Sequence, residues 1–395
     1  MTEQLDVETT GIAHGGEAVA RHDGRVIFVR GALPGERVRV RITDAPAHGR
    51  FRRGVVAEVL DPSPDRVQPP CRYADQCGGC DWQFAALPAQ RELKARVVRE
   101  QLERLGGEPA DRWANLQVEP VPGDVDGLRW RTRMRYAVDG QGRAGLRPHH
   151  SHDILPIDQC LLATPEIEEL DVLGRSWPDT SEVLAVTGDD ESLALPDPRP
   201  GMAKVTESAL GRTWTLDATA FWQVHPGAAE TLATSVLDLL QPRPGEHVVD
   251  LYSGVGLFAG AVLPVVGPGG RVDAVESNAV AVKGARRSLH DAENVHLHEA
   301  RVDRWLRDTP LRRCDLVILD PPRAGAGRDV LRRTLRLRPR GVAYVACDPA
   351  ALARDVAIAR EEGWRLASLR AFDLFPMTHH VECVALFEPT DTVTS

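Results

Sequence analysis

From Asp217 onward the chain alternates short apolar runs with helical segments, and this alternation limits the possible fold more than any other feature. The runs lie at 247–251, 271–275, 295–297, 315–319, 342–346, 366–371 and 381–387. Such alternation predicts a doubly wound, mostly parallel sheet. Sheets of this kind bind ligands beyond the carboxyl ends of their strands. The residues that directly follow each run are therefore the first candidates for a site.

Four of these strand ends carry chemistry. The first run leads into Asp250-Leu251-Tyr252-Ser253-Gly254-Val255-Gly256, a glycine-rich turn before a helix. Gly254 and Gly256 let a ligand approach the backbone, and the helix start offers free amides. Glu276 ends the next run, where a carboxylate can accept hydrogen bonds from ribose hydroxyls. The fourth run ends in Asp320-Pro321-Pro322-Arg323-Ala324-Gly325. The fifth ends in Ala346-Cys347-Asp348-Pro349, which sets a thiol at a strand tip just before a residue that bars a central strand from continuing. Cys314 and Cys383 lie within or beside apolar runs and read as core thiols.

Upstream the texture differs. Residues 1–61 read as short strands broken by Gly15-Gly16, Gly24 and Pro34-Gly35, which predicts a small barrel. After a proline-rich linker comes Cys71-Arg72-Tyr73-Ala74-Asp75-Gln76-Cys77-Gly78-Gly79-Cys80, with Cys160 as the natural fourth thiol. Four thiolates suit structural zinc or an iron–sulfur cluster. The spacing matches neither a zinc ribbon nor the Cys-x3-Cys-x2-Cys of radical enzymes. A helix opens at Leu87-Pro88 and ends at Gly106-Gly107, with Leu93, Val97, Val98, Leu102 and Leu105 on one face. Residues 127–216 read as a strand meander, and 188–199 as a polar surface excursion. The expected units are thus 1–61, a central β-rich unit at 62–216 and an α/β unit at 217–395.

The net charge of −9 argues weakly against a nucleic-acid partner, but the charge is uneven. Nine arginines and three acids fall between Arg21 and Arg53. A second cluster comprises Arg129, Arg131, Arg133, Arg135, Arg143 and Arg147, and a strand would put its first four members on one face. Such patches are compatible with a phosphate-binding surface. No apolar stretch is long enough for a membrane span, and the polar, acidic start is no secretory signal, so a cytoplasmic protein is expected. In that reducing compartment the seven cysteines are metal ligands, nucleophiles or core residues.

Taken together, these motifs resemble a known family. Residues 31–36 followed by alternating Val and Arg resemble the TRAM domain, an RNA-binding module similar to the oligonucleotide-binding fold. The Asp-x-x-x-Gly-x-Gly turn with Glu276 resembles class I S-adenosylmethionine-dependent methyltransferases. Asp-Pro-Pro-Arg-Ala-Gly, the segment from Ala346 to Asp355, and Asp373-Leu374-Phe375-Pro376-Met377-Thr378-His379-His380-Val381-Glu382 resemble the RNA uracil-5-methyltransferases. A TRAM domain plus four cysteines resembles the branch that acts on 23S ribosomal RNA. The resemblance implies a 4Fe–4S cluster on Cys71, Cys77, Cys80 and Cys160. It also implies an S-adenosylmethionine site that includes Gln223, Tyr252, Glu276 and Asp320. The sequence departs from the family pattern at Leu257, at Ala300-Arg301, and at Asp348, where the best-known members have Asn.

The expected reaction follows from the chemistry of uracil. Carbon 5 is too weak a nucleophile until a thiolate, here Cys347, adds at carbon 6 and generates an enolate. The Arg323 region would stabilise that enolate. A carboxylate must then remove the carbon 5 proton, and Glu382 is the candidate base, with His380 on its strand face to orient it. Asp348 is the rival base. The target base must be unstacked, and the barrel and the 129–135 segment would hold the RNA by its phosphates. The expectation is therefore a monomeric enzyme that makes 5-methyluridine in 23S rRNA. The competing readings are action on tRNA, or an iron–sulfur RNA-binding or assembly factor with a vestigial methyltransferase fold.

Overall fold

The computed structural model describes residues 3–44, 51–149 and 151–390; Arg50, one of the barrel arginines, lies outside them. Strands β1 (Gln4–Ile12), β2 (Ala18–His22), β3 (Arg25–Arg30), β4 (Arg37–Asp44) and β5 (Phe51–Asp61) close a barrel in the order β1-β2-β3-β5-β4. Alternation in β4 sends Val38, Val40 and Ile42 into the barrel core and the arginines outward. Part of that outward charge is already neutralised. Arg39 pairs with Asp6 and Glu58, Arg52 with Glu3, and Arg53 with Glu17.

Helix α1 (Leu87–Gln101) has proline in its first turn. It runs on through a π-helical turn to Gly107, whose φ of 65° is the left-handed cap that glycine favours. Next come β6 (Val118–Glu119), β7 (Arg133–Val138), β8 (Ala144–Leu146), β9 (Leu155–Pro156), α2 (Pro165–Glu169), β10 (Glu182–Thr187) and β11 (Ser192–Pro196). Strands β11-β10-β7-β8-β9 form a five-stranded sheet. Residues 188–199 therefore include a paired strand rather than a bare excursion, because Leu193 and Leu195 find a core to pack against. β12 (Lys204–Ala209) and β13 (Arg212–Asp217) form a hairpin.

The expected arginine face does not form. Arg129 adopts φ +56° and Arg131 makes only an isolated bridge, so both precede β7. Arg133 turns inward to Glu207 at 2.9 Å, while Arg135 points outward to Glu182 at 2.6 Å.

The remaining elements build the large sheet: α3 (Ala228–Leu240), β14 (His247–Leu251), α4 (Leu257–Val266), β15 (Arg271–Glu276), α5 (Ala279–Ser288), β16 (Val295–Glu299), α6 (Val302–Asp308), β17 (Leu316–Leu319), α7 (Gly327–Leu335), β18 (Gly341–Ala346), α8 (Pro349–Glu361), β19 (Trp364–Phe372) and β20 (Glu382–Pro389). The order is β16-β15-β14-β17-β18-β20-β19-β6. Strands β14 to β18 pair in parallel, as the alternation predicts, and β20 runs antiparallel to β18.

The edge strand β6 comes from far upstream. α1 belongs with this sheet too: Ala95, Val98 and Leu102 share one core with Val249, Val317 and Leu352. Its Lys94, fully buried, donates to Asp373 Oδ1 at 2.5 Å and to the Phe375 carbonyl at 3.0 Å. Among the described residues no helix is long and apolar enough to cross a membrane.

Candidate active site

The fold brings the candidate residues together at the carboxyl edge of the parallel strands. Tyr252, Gly254 and Gly256 form the turn after β14, with φ of 63°, 54° and 85°. Two of these positions suit glycine; at Tyr252 a side chain accepts the left-handed conformation, which places its ring against the core beside α8. Glu276 ties the turn down. Its Oε2 accepts from the Gly254 N–H at 3.1 Å and its Oε1 from the Asn278 N–H at 2.6 Å. The carboxylate thus shapes the loop, a structural task beyond the expected ribose contact.

Asp320 follows β17 directly. Burial pushes its pKa up to about 7, with the Glu276 charge adding to the effect. Asp250, inside β14, is wholly buried and accepts from the Ala259 N–H at 2.9 Å; burial raises it to about 8, helped by Asp320 and Glu276. In the sequence Asp250 stands only as the first residue of the Asp-x-x-x-Gly-x-Gly pattern; the structure puts its carboxyl in one acid cluster with Asp320 and Glu276. Leu257 and Ala300 sit in and against the hydrophobic core. The Ala300 N–H donates to the Glu276 carbonyl at 2.9 Å. Gln223 lies on the loop between β13 and α3, and no hydrogen bond of its side chain joins it to the acid cluster.

Cys347 stands just beyond β18. In the antiparallel ladder Ala346 faces Cys383, so Glu382 at the start of β20 comes alongside the thiol. The two groups sense each other. Burial pushes Cys347 up to about 11, Glu382 and Asp320 push the same way, and Arg323 opposes them. Glu382 is held well above the usual carboxylate range by burial and Asp320, again opposed by Arg323. Cys347 therefore carries its proton at neutral pH, and burial favours the neutral form of Glu382.

The Arg323 loop is fixed from behind. Tyr344 Oη donates to Asp355 Oδ2 at 2.5 Å, and both atoms accept from the Ala326 N–H. His380 does not share a strand with Glu382, because β20 begins only at 382. Its ring lies 4.2 Å from that of His379 at a tilt of 43°, and burial lowers its pKa to about 4. Asp348, the rival base, is occupied: its Oδ1 caps α8 through the Ala351 N–H at 2.7 Å, and its Oδ2 stands 3.0 Å from His14 Nε2.

A cavity of about 820 Å³ runs from Arg323, His379 and His380 past Phe221 to all four candidate ligand cysteines. Among the described residues no group of three or more His, Cys, Asp or Glu forms a set that could hold a metal ion. The four thiols gather around one space without meeting at a point. Donors nonetheless reach the sulfurs: Tyr73 N–H to Cys71 at 3.4 Å, Gly79 N–H to Cys77 at 3.3 Å and Gln83 Nε2 to Cys80 at 3.0 Å. Burial raises Cys80 to about 12, and the neighbouring thiols push it further in that direction.

Comparison with known proteins agrees with this geometry. Residues 2–53 match the TRAM domain model, and residues 218–389 match the model described as tRNA (Uracil-5-)-methyltransferase. An uncharacterized RNA methyltransferase of Streptomyces avermitilis is 44% identical, over 98% of this chain and 99% of its own. The 23S rRNA (uracil(1939)-C(5))-methyltransferase RlmD of Alkalilimnicola ehrlichii is 32% identical, over 98% of this chain and 97% of its own. Among solved structures, the Pyrococcus abyssi tRNA (uracil-54, C5)-methyltransferase in complex with S-adenosyl-L-homocysteine superposes with a TM-score of 0.71. That match covers 97% of this chain and 99% of the other at 23% identity, which establishes a shared fold.

Proposed function

Since the chain belongs to the RNA uracil-5-methyltransferase family, we propose that it methylates carbon 5 of a uridine in 23S rRNA, with Cys347 as nucleophile and Glu382 as base. The observation that carries this reading is the register of β18 against β20, which sets a thiol and a buried carboxyl side by side, with Arg323 as their shared cation. The ribosomal substrate is favoured by the Alkalilimnicola relative, which aligns along nearly the whole chain.

The acid cluster of Asp250, Glu276 and Asp320 suits a cationic ligand, since burial and mutual repulsion hold Asp250 and Asp320 partly protonated. S-adenosylmethionine supplies, when bound, an electrophilic methyl group on a sulfonium. Gln223, Tyr252, Gly254, Gly256, Glu276 and Asp320 would hold it. Cys347 gives its proton to solvent and its sulfur bonds to uracil carbon 6, whose ring electrons move onto the carbonyl oxygen as an enolate that Arg323 faces. Carbon 5 then takes the methyl group. Glu382, in its ionised form, takes the carbon 5 proton; the electrons of that bond re-form the ring double bond as the sulfur–carbon bond breaks and the thiolate is released.

The four cysteines fit an iron–sulfur cluster better than a single ion. The donors are all thiols, they ring a space instead of one point, and three of their sulfurs receive hydrogen bonds. Cys71, Cys77, Cys80 and Cys160 would hold it. Iron and sulfide analysis of anaerobically purified protein, with and without Cys80→Ser, tests that assignment.

The test of the reaction is methyl transfer to 23S rRNA fragments, together with trapping on 5-fluorouridine RNA. Wild type should form an SDS-stable adduct and Cys347→Ala none. A Cys347→Ala protein that still methylates RNA would overturn the assignment, and a preference for tRNA would overturn the substrate.

A further inference from the structure

The cavity against the nucleophile, about 80 Å³, is lined by Cys347, Asp348, Arg323, His379 and His380, and also by His14. His14 belongs to the barrel. It sits in the connection between β1 and β2, where Ala13 N–H donates to the Glu17 carbonyl at 2.8 Å and Gly16 N–H to the Ala13 carbonyl at 2.9 Å. This tight tip is pressed onto the catalytic edge. A Cβ built on Gly16 would stand 2.6 Å from the His379 Cβ, and Gly16 has φ +82°, so a side chain is excluded twice over. The Gly16 carbonyl accepts from the fully buried Trp82 indole at 2.9 Å. His379 is held from its other side by Asp81, 2.6 Å from its Nδ1.

His14 Nε2 stands 3.0 Å from Asp348 Oδ2, and the other oxygen of that carboxylate caps α8. Asp348 is the residue after the nucleophile, and it is one of the positions where the sequence departs from the family pattern.

We propose that His14 is a positioning residue for Cys347: through Asp348 it fixes the start of α8 and the backbone carrying the thiol, so that the barrel controls the rate of adduct formation and not only RNA affinity. The two oxygens of Asp348 divide the work. One is spent on the helix N-terminus and the other is left for the imidazole. An amide at this position would offer one acceptor and one donor, so the second carboxylate oxygen is what lets this chain hold both partners as hydrogen-bond donors.

This inference rests on the assignment of Cys347 as nucleophile, and the experiment separates the two. Single-turnover methyl transfer and adduct formation are measured on the full chain at saturating RNA and methyl donor, alongside RNA affinity. The variants are His14→Ala, His14→Gln, Asp348→Ser, the double variant His14→Ala/Asp348→Ser, and Cys347→Ala. Serine still caps a helix but leaves no oxygen for His14. His14→Ala and Asp348→Ser should each slow adduct formation roughly tenfold, as expected for losing a hydrogen bond to a charged group. The double variant should be no slower than the slower single variant, and His14→Gln, which keeps a donor, should regain most of the rate. RNA affinity should change little.

An unchanged rate in His14→Ala, losses that multiply in the double variant, or an effect on RNA affinity alone would overturn the proposal while leaving the nucleophile in place. Full methylation by Cys347→Ala would instead remove the nucleophile, and this inference with it.

Discussion

Replacing Glu382 with glutamine tests the chemistry most directly, because the structure separates its effects on fold, first step and last step. Burial favours the neutral form of the Glu382 carboxyl, and glutamine is a neutral side chain of nearly the same shape. Stability at pH 7 should therefore change by no more than about 1 kcal/mol. The sign of the pH dependence follows from the raised folded pKa. Above the unfolded value of 4.5 the folded state holds the extra proton, so wild type loses stability as pH rises towards the folded pKa, and Glu382→Gln does not. In its ionised form Glu382 also raises the Cys347 pKa, so glutamine should leave adduct formation as fast as in wild type or faster. Removal of the carbon 5 proton should slow by roughly 10²- to 10⁴-fold, the usual worth of a positioned base. The assay follows covalent complex on denaturing gels with natural uridine RNA and counts turnovers in parallel. The complex should accumulate where wild type shows little. Normal turnover, or loss of adduct formation, would refute the assignment of Glu382 as base.

Three further outcomes are expected. Since Cys347 is pushed up to about 11, adduct formation should rise by about tenfold per pH unit across the neutral to mildly alkaline range; a flat single-turnover profile would contradict a protonated resting thiol. Lys94→Met leaves the fully buried Asp373 with only Arg91 at 3.2 Å, and breaking such a pair costs about 3–5 kcal/mol; urea unfolding that shows under about 1 kcal/mol would disprove it. Tyr344→Phe removes one acceptor of the Ala326 N–H and a donor to Asp355, and should cost about 1–3 kcal/mol in thermal or urea unfolding. Its maximal rate should fall with RNA affinity intact, and weakened RNA binding would argue instead for a wider collapse.

The α/β unit was legible because its central strands β17 and β18 are buried throughout and read as apolar runs whose ends mark candidate sites. That rule pointed to Cys347, Asp320 and Glu276 as candidates, and the family resemblance supplied the roles proposed for them. The arginine pattern misled because alternation implies a strand only where the backbone stays extended, and Arg129 turns left-handed. Arg133 then became a core residue, since Glu207 offered it a buried partner. Leu193 and Leu195 lay in polar surroundings, so the strand they form was hidden until the core it packs on was known. His14 gave no local signal at all: it meets Asp348 across 334 residues of sequence, a distance no periodicity spans. Asp355 and Tyr344 lie within or next to motif segments, but their service to the Arg323 loop depends on a contact between two turns.

The two-residue strand β6 has a bearing on how the protein is made. Its Glu119 pairs with Arg370, 251 residues later, and its carbonyl accepts from the Asp373 N–H at 2.8 Å. The ribosome thus delivers one edge of the great sheet long before the neighbour it must zip onto exists. That early piece has to wait, with the apolar flank of α1 beside it, while the whole α/β unit is translated. A pairing so remote is slow to close. A fragment cut at the start of the matched methyltransferase region would emerge without that border, leaving β19 open to capture by a second chain.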